Sequence, residues 1–332
     1  MRRLFFVILA AVSVLGQAAQ ARCQGEDLIA ALPPEELAAL RADADAVPFA
    51  HGNAWHATRG KQELYIIGTL HLDDPRHAAT IAAVLPLMKL TSLLLVEAGP
   101  DEERLLKARL AKDPSLLVSV TGPTLREALS EADWQIFQSA MTARGVPVFL
   151  ASKLQPWYVS VLLALPPCAI AAGVPNGLDQ RLMAAATEAG IPIVGLEPYD
   201  TAFKVFQNTA PEDQIKMLIG ALSAEVQSED MNATTINSYF AEDTRLSWEF
   251  TKAWTAKLPQ YDTASAEAEF KMIEDNLMIA RNLSWIPTIE ARAVSAMGPI
   301  LVAVGALHLA GERGVLNLLQ QKGFVVTRIA FQ

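Results

Sequence analysis

The sequence predicts an α/β fold: a small central sheet, mixed but largely parallel, flanked by many helices, with a helical insertion before the last strands. Three observations lead there. Short, almost purely apolar runs at 64–67, 92–96 and 300–304 are rich in β-branched and aliphatic residues, as expected of strands buried on both faces. Segments of helical periodicity alternate with them. The first and last thirds of the chain both supply strands, so one sheet must be assembled from discontinuous sequence.

Taken in order, a helix is expected over 34–42, then two strands, 54–59 and 63–67, around Gly60-Lys61 as a hairpin. Helical periodicity resumes over 77–90, and the strand 92–96 runs into Glu97-Ala98-Gly99-Pro100. Strands are also expected at 146–150 and 191–195, each after a helix and a glycine (Arg144-Gly145, Ala189-Gly190), the signature of an αβ loop. The second runs into Leu196-Glu197-Pro198. From 211 to 297 no strand is convincing and amphipathic helical segments follow one another, 264–284 among them, so this stretch reads as a helical subdomain. Strand 300–304, helix 311–322 and strand 324–329 close the chain. No linker rich in Gly, Pro or Ser divides it, so residues 22–332 read as a single domain.

Met1-Arg2-Arg3, an apolar stretch of about 13 residues and then Ala19-Gln20-Ala21 have the form of a secretory signal peptide over 1–21. The apolar part is shorter than the roughly 20 residues a spanning helix needs, and nothing later is both long enough and free of charge. No membrane span is therefore expected after cleavage, and the location reads as periplasmic or secreted. Arg22 stands where a lipoprotein signal would need a small residue, so Cys23 is not read as lipidated. Removing 1–21 takes away Arg2 and Arg3 and no acid, moving the formal charge from −9 to −11. An acidic chain with no basic cluster argues against a nucleic-acid partner. Cys23 and Cys168 are the only cysteines, and an oxidising compartment lets such a pair bridge. Their spacing gives no structural zinc signature.

The most informative feature is a repeated pattern. Gly68-Thr69-Leu70-His71 and Gly305-Ala306-Leu307-His308 each place a histidine three residues past a glycine at the end of an apolar run. Gly68 and Gly305 are read as the residues that let the chain turn there. Only five histidines occur, the others being His51, His56 and His77. In open α/β sheets ligands bind outside the carboxyl ends of the strands, so two such histidines could converge there. Glu97 and Glu197 follow strands at the same end. Two imidazoles and one or two carboxylates suit a divalent ion (Mn, Co, Zn or Fe), and a carboxylate off the metal could act as general base. His71, Glu97 and His308 are the candidate ligands and Glu197 the candidate fourth ligand or base. Either glutamate could instead serve only as a helix amino-terminal carboxylate. Arg281, beside Asn282 on an amphipathic helix, is a candidate oxyanion or carboxylate clamp, or a plain salt bridge. No Gly-x-Ser-x-Gly, P-loop or Gly-x-Gly-x-x-Gly motif lies at a strand-to-helix junction, which removes the usual serine hydrolase and nucleotide readings.

At these residues the chain resembles the TraB/GumN family, which is related to the Tiki metalloproteases and more distantly to erythromycin esterase and ChaN-like proteins. The resemblance rests on Tyr65-Ile-Ile-Gly-Thr-Leu-His71, Leu95-Val-Glu97, Lys153-Leu-Gln-Pro-Trp157, Gly177-Leu-Asp179, Gly195-Leu-Glu197, Arg281-Asn282, and Val302-Ala-Val-Gly-Ala-Leu-His308-Leu-Ala-Gly311 with Gly323-Phe-Val-Val. It implies a small sheet among many helices and metal-dependent peptide-bond hydrolysis by the two Gly-x-x-His histidines and the glutamate, with Arg281 and Asn282 also at the site. The expected substrate is a peptide or small molecule. The alternatives are a non-catalytic metal-, haem- or peptide-binding protein and an accessory protein of envelope or polysaccharide processes. Mass spectrometry of the exported protein tests the leader: an amino terminus at Arg22 is expected, and a full-length membrane-embedded species would refute cleavage.

Overall fold

The computed structural model describes residues 23–171, 176–207 and 209–331, so the expected leader over 1–21 lies outside the described residues. The predicted hairpin is present as β1 (Ala54–Arg59) and β2 (Gln62–Thr69), paired antiparallel with Arg59 opposite Gln62. Gly60 supplies the positive φ (62°) that a two-residue hairpin loop needs at its first central position. With β3 (Leu93–Val96), β4 (Ile193–Gly195), β5 (Ile300–Gly305) and β6 (Val325–Arg328) the hairpin forms one sheet in the order β4-β3-β5-β2-β1-β6. The first four of these neighbours are parallel, and β1 runs against both β2 and β6. The sheet is thus mixed and largely parallel, as expected.

Helices enclose it. In chain order they are α1 (Pro34–Asp45), α2 (His77–Met88), α3 (Pro100–Lys112), α4 (Leu125–Ala128), α5 (Glu131–Ala143), α6 (Val148–Ala151), α7 (Pro156–Leu163), α8 (Pro167–Ala171), α9 (Leu178–Glu188), α10 (Thr201–Gln207), α11 (Pro211–Ala224), α12 (Ser228–Phe240), α13 (Thr244–Thr255), α14 (Thr263–Ile273), α15 (Ala280–Ser295) and α16 (Val315–Gln321). On one face of the sheet Leu64, Ile66, Leu95, Val302 and Val304 pack against Trp285, Ile286 and Ile289 of α15 and Leu316 and Leu319 of α16. On the other, Ile67, Leu94, Val96, Leu301 and Ala303 meet α2 and α9 through Val84, Met88, Leu178, Leu182 and Ala186. Alternate residues of each strand are apolar on both sides because each side meets a helix layer.

One expected strand is absent. Residues 146–150 give α6 instead, capped by Pro147, whose carbonyl accepts from Leu150 N (3.0 Å) and Ala151 N (2.9 Å). Proline cannot donate to a ladder, and Val146 and Val148 find their apolar partners in a helical cluster around Phe137, Met141 and Leu218. Pro192 does no such harm because β4 is an edge strand that begins after it. The stretch 211–297 is helical throughout its regular elements; α11 packs in that helical cluster, whereas α15 covers the sheet.

Cys23 and Cys168 form a disulfide that joins the start of the described chain to α8 across 145 residues of sequence. Among the described residues no helix is long and apolar enough to cross a membrane. Closing so long a loop restricts the unfolded chain strongly, so C168S should lower stability by about 2–4 kcal/mol in denaturant titration. Equal midpoints for C168S and the oxidised wild type would show that the bridge adds nothing.

Candidate functional site

The parallel strands set four polar residues in a row. Glu197, Glu97, His308 and His71 follow β4, β3, β5 and β2, which are successive neighbours in the sheet, all at the carboxyl ends. Neighbouring strands lie about 4.8 Å apart, so adjacent members of this row are within reach of one another. Neither motif glycine has a positive φ, contrary to the expected tight turn; each is there for space. A Cβ on Gly68 would stand 2.8 Å from Leu309 Cδ1 and 3.0 Å from Ala306, pressing apart the two histidine motifs. On Gly305 it would stand 3.2 Å from Glu97 Oε1 and 3.4 Å from His308 Cδ2.

Arg281 organises three of the four. Its Nε donates to Glu197 Oε2 (2.9 Å), Nη2 donates to Glu197 Oε1 (2.7 Å) and to Glu97 Oε2, and Nη1 donates to Leu277 O (3.1 Å) and His308 Nε2 (3.2 Å). Every N–H of the guanidinium therefore has an acceptor. Glu97 Oε1 accepts from Gly305 N (2.7 Å), and Glu197 Oε2 also accepts from Trp285 Nε1 (2.9 Å). The Trp285 ring lies 4.5 Å from that of His308, centroid to centroid.

Asn282 stands behind His308. Its Nδ2 donates to His308 O (3.3 Å) and Arg313 O (2.9 Å), which leaves Oδ1 to accept from His308 Nδ1 at 2.6 Å. The imidazole is thereby fixed as the Nδ1–H tautomer, with its Nε2 lone pair facing Arg281 and Glu97. Asn282 is buried and holds both the ring and the backbone carbonyl of His308. Arg281 and Asn282 follow a π-helical turn, Glu274–Ile279, that joins α14 to α15, and Leu277 lies within that turn. Such turns are frequent at functional sites.

His71 lies at the other end of the row and is mostly solvent-exposed, 65% of its side chain being accessible. Its Nδ1 is 3.1 Å from Asp179 Oδ1, an ion-pair contact off the straight hydrogen-bond line, so that the buried oxygen has no well-aligned donor.

The electrostatics distinguish the two histidines. The Asp179 carboxylate raises His71 to about 9, against the opposing effect of desolvation. Burial lowers His308 to about 4, and the Arg281 charge adds to the effect. Burial opposes ionisation of Glu97, but the surrounding cationic groups and the Gly305 N–H hold it at about 2. Near neutral pH the row thus carries an anionic Glu97, a neutral His308 and a cationic His71.

The residues can be tested against the divalent ion expected of them. Two atoms each about 2.0–2.2 Å from one ion can be no more than about 4.4 Å apart. His308 Nε2 and Glu97 Oε1, at 3.9 Å, meet that limit, and the Asn282 contact leaves the lone pair on Nε2, where Arg281 Nη1 now occupies it and would have to yield. The donor chemistry fits. Among the described residues, however, no three His, Cys, Asp or Glu side chains are already gathered around one point. His71 would have to swing inward, and Arg281 now bridges the carboxylates.

Gly-x-x-His thus stands at the ends of two adjacent parallel strands, within the region that a family pattern matches. The chain belongs to the TraB/PrgY/gumN family, whose pattern matches residues 53–328. Among curated relatives it is similar to the uncharacterized protein YbaP of Escherichia coli (strain K12) and to the protein of the same name from Shigella flexneri. Each is 25% identical over 263 residues, covering 79% of this chain and 89% of the relative.

Two contacts of the row were not legible as such in the sequence. Trp285 reads as core, and Asp179 as one more acid in the first turn of a helix; only its place in the Gly177-Leu-Asp179 motif singles it out. The opposed histidines make a pH prediction for protein treated with chelator. The unfolded chain takes up the His308 proton first, so stability should fall as pH drops from 6.5 towards about 4. The His71 contribution is present below 6.5 and should be lost as pH rises towards about 9. H308N should flatten the acid limb and H71N the alkaline limb of stability against pH; limbs unchanged in both would refute the assignment.

Proposed function

We propose that the protein is a metal-dependent hydrolase of the cell envelope, acting on peptide bonds. The observation that carries this reading is the pair His308 Nε2 and Glu97 Oε1, 3.9 Å apart with the imidazole tautomer fixed from behind. His308, Glu97 and, once turned inward, His71 would hold the ion. The chemistry such an ion supplies is a water acidic enough to ionise near neutral pH and a polarised carbonyl.

The chain's own residues do the rest. Arg281 has the fork geometry to hold a substrate carbonyl or carboxylate once it gives up part of its bond to Glu97. Glu197 takes bonds from Arg281 and Trp285, so in this arrangement it anchors the arginine; service as general base requires that clamp to loosen. A groove of about 900 Å³ adjoins Glu197 and Arg281, bounded by Pro198, Val205, Met272 and Asn276. Its lining mixes apolar side chains with hydroxyls and the charged Lys204 and Asp213, which suits an extended peptide. The disulfide supports an oxidising compartment.

A second reading has an observation of its own. Arg281 is ion-paired with both glutamates, and His71 against Asp179 is a cationic proton donor, so the same row could work by acid and base without an ion.

Metal content and turnover of a peptide library, measured in one sample, separate the two. On the first reading wild type carries a divalent ion, chelator abolishes turnover, and H308A and H71A lose ion and activity together per folded molecule. Glu197→Gln should keep the ion and lose rate by roughly 100-fold or more if that residue is the base. Turnover that survives chelator would favour the second reading. Unchanged metal and activity in both histidine variants would refute the first.

A further inference from the structure

The two Gly-x-x-His histidines are backed in the same way. Behind His308 stands Asn282 of α15, against Nδ1; behind His71 stands Asp179 of α9, also against Nδ1. The helix that brings Asp179 is locked to the His71 loop by contacts that do not involve the imidazole. Leu178 N donates to Leu70 O at 2.9 Å. Arg181 Nη2 donates to Asp73 Oδ1 at 2.6 Å. A Cβ on Gly177 would collide with Leu70 O and the His71 backbone, so only glycine lets the start of α9 lie this close. Leu178 is fully buried beneath the sheet, which fixes the rotation of the helix and so the direction in which Asp179 points.

We propose that Asp179 is the positioning residue of His71: it retains the Nδ1 proton, so that the Nε2 side of the ring is the one offered to the row of Glu97 and His308. This inference rests on the site reading above for its consequence, ion binding, but not for its geometry. The buried Asp179 Oδ1, which has no well-aligned donor, completes its hydrogen bond when the ring rotates, and the same rotation moves His71 relative to the other ligands. The neutral backing of His308 by Asn282 and the anionic backing of His71 by Asp179 also make the two histidines unequal, the second being the more basic ligand.

The test uses the full mature chain and the variants D179A, D179L and D179N, with folding checked by circular dichroism. Nitrogen-15 NMR of His71, assigned through H71N, is recorded without metal at a pH above the titration of the ring. Wild type and D179N, which keeps an acceptor oxygen, should show the Nδ1–H tautomer; D179A and D179L should show Nε2–H, the form a free imidazole prefers. Either apolar variant suffices if the other does not fold. Zinc titration of the same samples should give a dissociation constant 10–100-fold weaker in D179A or D179L and largely restored in D179N. The same His71 tautomer in wild type and in the apolar variants would overturn the proposal. If wild type binds no zinc, the metal-dependent reading fails, and the tautomer comparison still decides the role of Asp179.

Discussion

Two neighbouring parallel strands, β3 and β4, run into carboxylates, and both carboxylates are largely withdrawn from water. Such a pair repels itself and loses hydration, so it can persist only with a cation between its members. Arg281 is that cation. Removing one partner of a buried ion pair costs about 3–5 kcal/mol because the other charge is left uncompensated. The apolar face of α15 that packs on the sheet carries Arg281 to this place, and Trp285 beside it donates to Glu197 as well. The cation also keeps the site polar: a glutamate that would otherwise take up a proton stays ionised and available to a ligand.

The π-helical turn explains how one helix meets that requirement. Arg281 and Trp285 are four residues apart on α15 and share a face, which turns both side chains to Glu197. Asn282, one residue on, reaches around the His308 ring from behind. The π turn over Glu274–Ile279 breaks the regular α pattern just before these three residues, and the Leu277 carbonyl in it accepts from the Arg281 guanidinium. A helix bearing such a turn pays a modest cost in regularity, and that cost is offset where the turn sets functional side chains.

How much of this could be read in the sequence depended on whether a residue's neighbours were local. Strands β2, β3 and β5 were legible because helices cover both faces, so each carries a continuous apolar run, 64–67 in β2 and nearly the whole of β3 and β5. The α6 segment misled for the same reason: its apolar run at 146–150 looks alike whether it meets a sheet or a helical cluster, and only Pro147 argued otherwise. The row His71, Glu97, Glu197 and His308 could be placed at strand ends from pattern alone. Its left-to-right order could not, since β5 enters the sheet between β3 and β2 from more than 200 residues away. Asp179 and Trp285 stayed hidden because what brings them to the row is the partner each faces across the fold, and neither partner is near in sequence. The steric role of Gly68 and Gly305 was hidden likewise: the sequence shows a small residue, and only the packing shows whether it serves a turn or a close approach.

The inequality of the two histidines follows from which helix backs each one. Burial keeps the His308 ring uncharged, and the neutral amide behind it leaves the lone pair on Nε2, facing Arg281. A carboxylate behind His71, near solvent, keeps that ring protonated until something displaces the proton. An ion or an electrophile arriving at the row would therefore meet a prepared half, His308 with Glu97, and a half that must first give up a proton and turn. A row of four similar polar residues at the ends of parallel strands acquires this electrostatic inequality from the helices behind it, α15 bringing the amide and α9 the carboxylate.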